Sequence, residues 1–336
     1  MVPPRERAEG ERRLIVTTID YHTAGEPFRI VKDGIGPIQG ETMLDKRRYA
    51  LEHLDSVRRL LVCEPRGHAD MYGCFLTDPV DDGADLGVLF FHNAGYSTAC
   101  GHGTIALATA AIETGMIRGT EPETTLTLDV PSGRLPIVAT LKNGKVDRVR
   151  FTNVPSFVFE EGIEVRTSRG AVKADISFGG AFYAFVEADA VGLKVEPANV
   201  TEFIALGREI KAAIEGEREV VHPLEPELRD IYGAIFVQGR RNVTIFADGE
   251  VDRSPCGSGT SARLALLDKN GSLPRGETFV HESVIGTQFE ARVTGDVQVA
   301  DYSAVMTEIS GSAHLTGFHQ FVLEPSGPLG TGFLLR

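Results

Sequence analysis

The spacing of apolar and polar positions changes period several times along the chain, and each change marks an element. From Arg13 the stretch LIVTTIDYHTAGEP is rich in β-branched residues and reads as a strand that breaks at Gly25 and Pro27. Residues 44–61, LDKRRYALEHLDSVRRLL, place Leu44, Tyr49, Leu51, Leu54, Val57, Leu60 and Leu61 close to a helical period, which predicts a surface helix. TLTLDV, LPIVATL and VDRVRFTNV alternate or run β-branched between Gly, Pro and Asn, so strands and hairpins dominate there. A second half repeats the grammar. ISFGGAFYAFVEAD reads as strand, NVTEFIALGREIKAAIEGE as amphipathic helix, and AIFVQGRRNVTIFAD as strands joined by a polar turn. Without a regular βαβ alternation, a doubly wound parallel sheet is disfavoured and an α+β architecture expected.

Two stretches echo each other. ACGHGTIALATAAIETG at 99–115 and PCGSGTSARLALLDKNG at 255–271 align without a gap, matching in Cys, both glycines and Thr, and again at Ala106 with Ala262 and Gly115 with Gly271. In each, a cysteine opens a Gly-x-Gly-Thr turn, an apolar helical run follows, and a glycine stands where the helix can stop. Two copies, each after a strand-like run, imply two similar half-chains. Packing about an approximate two-fold axis would set the two helix starts face to face across one cleft.

Composition narrows the partners. The 336 residues are enough for two ordinary domains. Lys and Arg number 34 against 47 Asp and Glu, a formal charge of −13 with no basic run, which argues against nucleic acid and anionic membrane. The start, MVPPRERAEGERR, has no apolar h-region, and later apolar runs fall short of a membrane span, so the chain reads as cytoplasmic with a flexible leader over 1–12. Four scattered cysteines, Cys63, Cys74, Cys100 and Cys256, make neither a disulfide framework nor a zinc site, and a structural metal is not expected. Cys63 and Cys74, with no motif around them, read as core thiols.

A cysteine in the first turn of a helix meets unpaired N–H groups and the positive end of the helix dipole, so its pKa is expected to fall toward neutrality. The same turns offer free amides to a carboxylate. Two such turns in one cleft would hold one carboxylate between them and set a sulfur on each face of the adjoining carbon. One thiolate would remove a proton and one thiol return it on the other side, with the carbanion's charge held by aimed amides. The scheme needs no cofactor.

At these residues the chain resembles the proline racemase superfamily, in which proline racemases, hydroxyproline 2-epimerases and trans-3-hydroxy-L-proline dehydratases share a two-domain fold like that of diaminopimelate epimerase. The resemblance runs from about Ile15 to Phe321 on DYHTAGEP, RGHADMYG, GADLGVLFFHNAGYSTACGHGT, DRSPCGSGTSAR and ESVIGT. It implies two similar domains, each a curved sheet around a central helix, with the active site in the cleft between them. The N-terminal domain would span 13–160 with Cys100, with 312–336 available to complete it; the C-terminal domain would span 161–311 with Cys256.

Carried over by motif, the resemblance makes Cys100 and Cys256 the two acid/base thiols and gives backbone amides of Gly101, His102, Gly257 and Ser258 to the substrate carboxylate. His102 and Asp252 would sit near the ring nitrogen, where Asp252 supplies the counter-charge a closed-in ammonium needs. Tyr72 and Phe246 correspond to the residues that pack on the ring. It also implies a proline or hydroxyproline substrate, no cofactor and a homodimer.

Within this family dehydratases generally carry Thr where Cys256 stands, so the second thiol favours a proline or hydroxyproline racemase or 2-epimerase. FADGEVDRSP and the Tyr of DMYG resemble the dehydratase branch, which keeps trans-3-hydroxy-L-proline dehydration as the alternative. Simpler readings stand beside these: inert buried thiols, a capping role for His102, a turn-anchoring role for Asp252 and core packing for Tyr72 and Phe246. His22 and His281, near strand ends, read as structural histidines. An amino-acid-binding protein would not need the thiols, and a disulfide-forming oxidoreductase would need them within bonding distance.

Overall fold

The computed structural model describes residues 13–335, and the predicted leader lies outside them. Among the described residues, seventeen strands are joined by backbone hydrogen bonds into one mixed sheet, and five α-helices pack against it: α1 (Met43–His53), α2 (Asp55–Val62), α3 (Gly101–Glu113), α4 (Val200–Glu217) and α5 (Gly257–Lys269). The class is mixed α/β and rich in sheet.

Strand pairing runs twice in the same order. Glu26–Asp33 lies parallel to Tyr72–Thr77, which pairs antiparallel with Leu86–His92, and the start of that strand lies parallel to Glu123–Val130. In the second run Phe182–Glu187 lies parallel to Ile231–Gln238, which pairs antiparallel with Arg241–Phe246, and that strand meets Phe279–Glu282 in parallel. The helix opened by each cysteine occupies the same place in its run. The closing strands are exchanged, because Ser156–Thr167 pairs with Gly170–Phe178 while Ala313–Leu323 returns to pair with Leu14–Thr23.

Helix α3 is buried from Gly101 to Ile112, as expected of a segment apolar all round. Strands Leu14–Thr23, Glu26–Asp33, Gly133–Lys142, Lys145–Thr152 and Ala313–Leu323 all touch it. Helix α5 is likewise held by Ser156–Thr167, Gly170–Phe178, Gln288–Val299 and Tyr302–Gly311. Gly115 (φ 76°) and Gly271 (φ 66°) end the two helices in the left-handed region, where a Cβ would be strained.

Three expectations need correction. The first strand breaks at Gly25 as expected but the chain is not broken at Pro27: Ala24 (φ 52°) and Gly25 (φ 93°) make a two-residue hairpin turn, and Pro27 is the second residue of the returning strand. It is tolerated there because the tight pair is Thr23 with Glu26, so position 27 directs its missing N–H to the flank where pairing begins only at Arg29. The helix expected over 44–61 is two, broken at Leu54, which leaves the helical region (φ −118°, ψ 4°). The strand read in ISFGGAFYAFVEAD is a hairpin, with Gly170–Phe178 and Phe182–Glu187 folded about Gly179 and Gly180.

Candidate active site

Cys100 and Cys256 are the N-caps of α3 and α5, and the two helix starts meet. A Cβ built on Gly101 would lie 2.4 Å from the Gly257 Cα, and one on Gly257 would lie 2.5 Å from the Gly101 Cα. The first glycine of each Gly-x-Gly therefore lets one backbone touch the other. The second makes room for sulfur: a Cβ on Gly103 would stand 2.7 Å from Cys100 Sγ, and one on Gly259 2.9 Å from Cys256 Sγ. No other residue fits all four places.

One small cavity is lined by Tyr72, Cys100, Gly101, His102, Phe246, Asp252, Cys256, Gly257 and Ser258, so every residue proposed from the sequence for the active site is brought to it. Ala99, Tyr183, Tyr232 and Thr244 complete the wall and were not foreseen. Tyr232 carried a signal, because Tyr232-Gly233 stands near the start of its strand as Tyr72-Gly73 does in the equivalent one. Thr244 lies two residues before Phe246, hence on the same face of the strand, and pairs in register with Asp252. Tyr183 and Ala99 carried none. The space between these side chains is about 10 Å³, room for a single water at most, so a ring enters only when the walls part.

The two thiols have different neighbours. Cys100 has extended backbone (φ −155°), and its Sγ accepts the Gly103 N–H at 3.2 Å. The His102 ring stands 3.5 Å from the same sulfur and edge-on to Tyr72. Cys256 is held at φ 63°, a left-handed conformation rare outside glycine. Its sulfur lies 3.7 Å from the Tyr183 hydroxyl, which is 2.7 Å from Ser258 Oγ. Behind it His281 is buried and doubly engaged, with Thr260 Oγ1 at 2.8 Å and Asn242 Nδ2 at 3.0 Å, and Asn242 also donates to the Pro255 carbonyl. His281 thus braces the Pro255–Cys256 turn, a structural role. His22 is partly exposed, accepts from Gly25 N and faces His314.

Burial reverses the expectation of a lowered thiol pKa. Desolvation lifts Cys100 well above its ordinary value and pushes Cys256 up to about 12, outweighing the Gly103 and Gly259 N–H groups that favour thiolate. The Asp252 carboxylate adds to the rise at both sulfurs. Burial also drives His102 down to about 3, so its ring is neutral. Asp252 is raised to about 6, again chiefly by burial, with the Ser254 N–H at 2.7 Å opposing. Cys63 and Cys74 lie in the core, away from this wall, and burial raises both.

The wall opposite the thiols is aromatic. Tyr232 stacks on Phe246 at 5.6 Å, Tyr72 tilts against Phe246 at 5.8 Å, and the Tyr72 and Tyr232 hydroxyls meet at 3.1 Å, with Ser97 Oγ also bonded to Tyr72. Among the described residues no group of three or more His, Cys, Asp or Glu side chains is placed to hold a metal ion, and no helix is long and apolar enough to cross a membrane.

The proline racemase family model matches residues 18–334. The chain belongs to the proline racemase family. A trans-3-hydroxy-L-proline dehydratase from Bacillus cereus is 48% identical over 328 residues, covering 96% of this chain and 98% of that one. A 3-hydroxyproline 2-epimerase from Burkholderia multivorans is 45% identical with the same coverage. Among solved structures, a hydroxyproline epimerase from Agrobacterium vitis with bound trans-4-hydroxy-L-proline superposes with a TM-score of 0.91 at 34% identity, covering 97% of each chain. Proline racemase family members of both kinds, isomerase and dehydratase, are enzymes, and so is this chain.

Proposed function

We propose that this proline racemase family member is a cofactor-independent 2-epimerase or racemase of proline or hydroxyproline. The observation that carries the reading is the placement of two thiols, Cys100 and Cys256, at abutting helix starts in one cavity. The amides of Gly101, His102, Gly257 and Ser258 take the carboxylate, and Asp252 meets the ring ammonium. Bound substrate brings an ammonium into a site that otherwise penalises thiolate, so binding itself favours loss of a thiol proton. That thiolate accepts the α-proton, the carbanion's charge spreads into the amide-held carboxylate, and the opposite thiol donates its proton to the other face. The roles exchange in the reverse direction.

The two halves, 13–160 with the returning strand and 161–311, would act as two jaws that part to admit the ring, in a homodimer working in the cytoplasm. Dehydration of trans-3-hydroxy-L-proline is the second reading, favoured by the name borne by the Bacillus cereus relative. Here one thiolate removes the α-proton and returns it to the 3-hydroxyl on the same face, which leaves as water, so the second sulfur is not needed on the opposite face.

The deciding experiment incubates L-proline, trans-4-hydroxy-L-proline and trans-3-hydroxy-L-proline separately in D2O with reduced, folded protein. The expected result is α-deuterium and the C2 epimer from at least one of them. Loss of water from the 3-hydroxy substrate without epimer selects the second reading, and the absence of both exchange and water loss with every substrate refutes both.

A further inference from the structure

The first strand of DYHTAGEP ends in a turn that carries Glu26 into the wall behind Asp252. Glu26 has no exposed surface, and the two residues belong to opposite halves of the chain. One Glu26 oxygen accepts the backbone N–H of Arg253, the residue next to Asp252, at 2.6 Å. The other is buried with no hydrogen-bond partner among the described residues. A bare, charged carboxylate oxygen in that position costs far more than a protonated one, which forgoes only a neutral hydrogen bond.

The charges around it lead to the same place. Glu26, Asp252 and Asp70 converge on this region, and the cation against Glu26 is the Arg253 guanidinium, which already pairs with Asp70 at 2.8 Å and donates to the Val251 carbonyl. Asp252 takes the Ser254 N–H and faces the cavity, near both cysteine thiols. A substrate ammonium would offset one more carboxylate. Glu26, with one oxygen free of any hydrogen bond among the described residues, is the carboxyl placed to carry a proton.

We propose that Glu26 is a positioning residue that holds a proton at neutral pH, so that Asp252 alone presents a carboxylate to the cavity. The inference rests on the proposed function only for the identity of the cation that meets Asp252. Burial and the like charge of Asp252 act in the same sense, raising the Glu26 carboxyl well above its usual range. Protonated Glu26 keeps the two acids from repelling each other while its carbonyl still accepts from Arg253 and fixes the strand that carries Asp252. Were Glu26 ionised, the pair would repel, and the Asp252 side chain would lose its aim.

The test is infrared difference spectroscopy of the full chain at pH 7, in which a protonated carboxylic acid gives a C=O stretch distinct from carboxylate bands. The band is expected in the unmodified protein, lost in Glu26→Gln and retained in Asp252→Asn. Absence of the band at pH 7, or its survival in Glu26→Gln, overturns the assignment. Glu26→Ala should lower kcat/KM about tenfold, and Glu26→Gln, which mimics the protonated acid, should recover most of that loss; a Gln variant as impaired as Ala counts against the proposal. Should Glu26→Gln fail to fold, the band in the unmodified protein decides alone. If the chain turns over no imino acid, the reading of function fails while the spectrum still reports on Glu26.

Discussion

The starts of α3 and α5 descend from one pattern, Cys-Gly-x-Gly-Thr, yet the structure sets them differently. At the first, the cysteine backbone is extended, the sulfur folds onto the Gly103 N–H, and a neutral histidine ring stands beside it. At the second, the cysteine is held at positive φ, a tyrosine and a serine hydroxyl replace the histidine, and a buried His281–Asn242–Thr260 network braces the turn. The glycines are kept in the same places because each performs the same steric task. The repeated motif thus sets two sulfurs in one cavity, and the flanking side chains make their surroundings unequal.

The largest test of the comparison replaces the sulfurs one at a time. Cys100→Ala should lower epimerisation on the order of 10³-fold or more, the usual weight of a positioned acid or base. Cys256→Thr should lower epimerisation as far but leave one-sided abstraction from Cα, seen as deuterium exchange with retention or as dehydration of trans-3-hydroxy-L-proline. Chiral chromatography with mass detection in D2O separates these outcomes. Full epimerase activity in Cys256→Thr would show that the halves are not paired in the way described.

A second test concerns charge. Both thiols are lifted by burial, so a thiolate forms only at the expense of desolvation, and in the free enzyme its fraction rises with pH. The rate of alkylation by iodoacetamide should climb about tenfold per pH unit from 7 to 9 with no plateau, as expected below a raised thiol pKa. A planar pyrrole carboxylate should block it by filling the cavity. A plateau near pH 7 would mean that the helix starts outweigh burial.

Much of this was legible because the signals are local and repeated. The alternation in TLTLDV and LPIVATL places two strands, and the paired glycines at 115 and 271 stop two helices where expected. The cavity residues carried by the echo, Cys100 to His102 and Cys256 to Ser258, came together because the motif itself builds the contact between halves. What was not legible depends on partners far along the chain. The exchange of Ser156–Thr167 and Ala313–Leu323 between the runs leaves no mark on either strand's own pattern. The raised thiols follow from complete burial, which a helix-start argument does not contain. Glu26 looked like part of a turn, and only the chain crossing at Arg253 reveals what it faces.

The smallest effect lies at the midline, where the halves touch through Tyr72 and Tyr232. These residues lie at the starts of equivalent strands, and their hydroxyls meet at 3.1 Å beside the apolar ring of Phe246. Burial raises both phenols well above the usual value, so they are hydrogen-bonding groups and not acids. A ring hydroxyl placed there replaces the bond that the two phenols make with each other, whereas an unsubstituted ring leaves it intact. Tyr232→Phe should therefore lower kcat/KM for a hydroxylated substrate by about 2- to 10-fold, the worth of one hydrogen bond, and change L-proline turnover less. The ratio of the two values, measured on the same preparation, is the readout, since a purely structural effect moves both together. An unchanged ratio would assign the hydroxyl pair to wall stability alone and leave ring choice to the packing of Phe246.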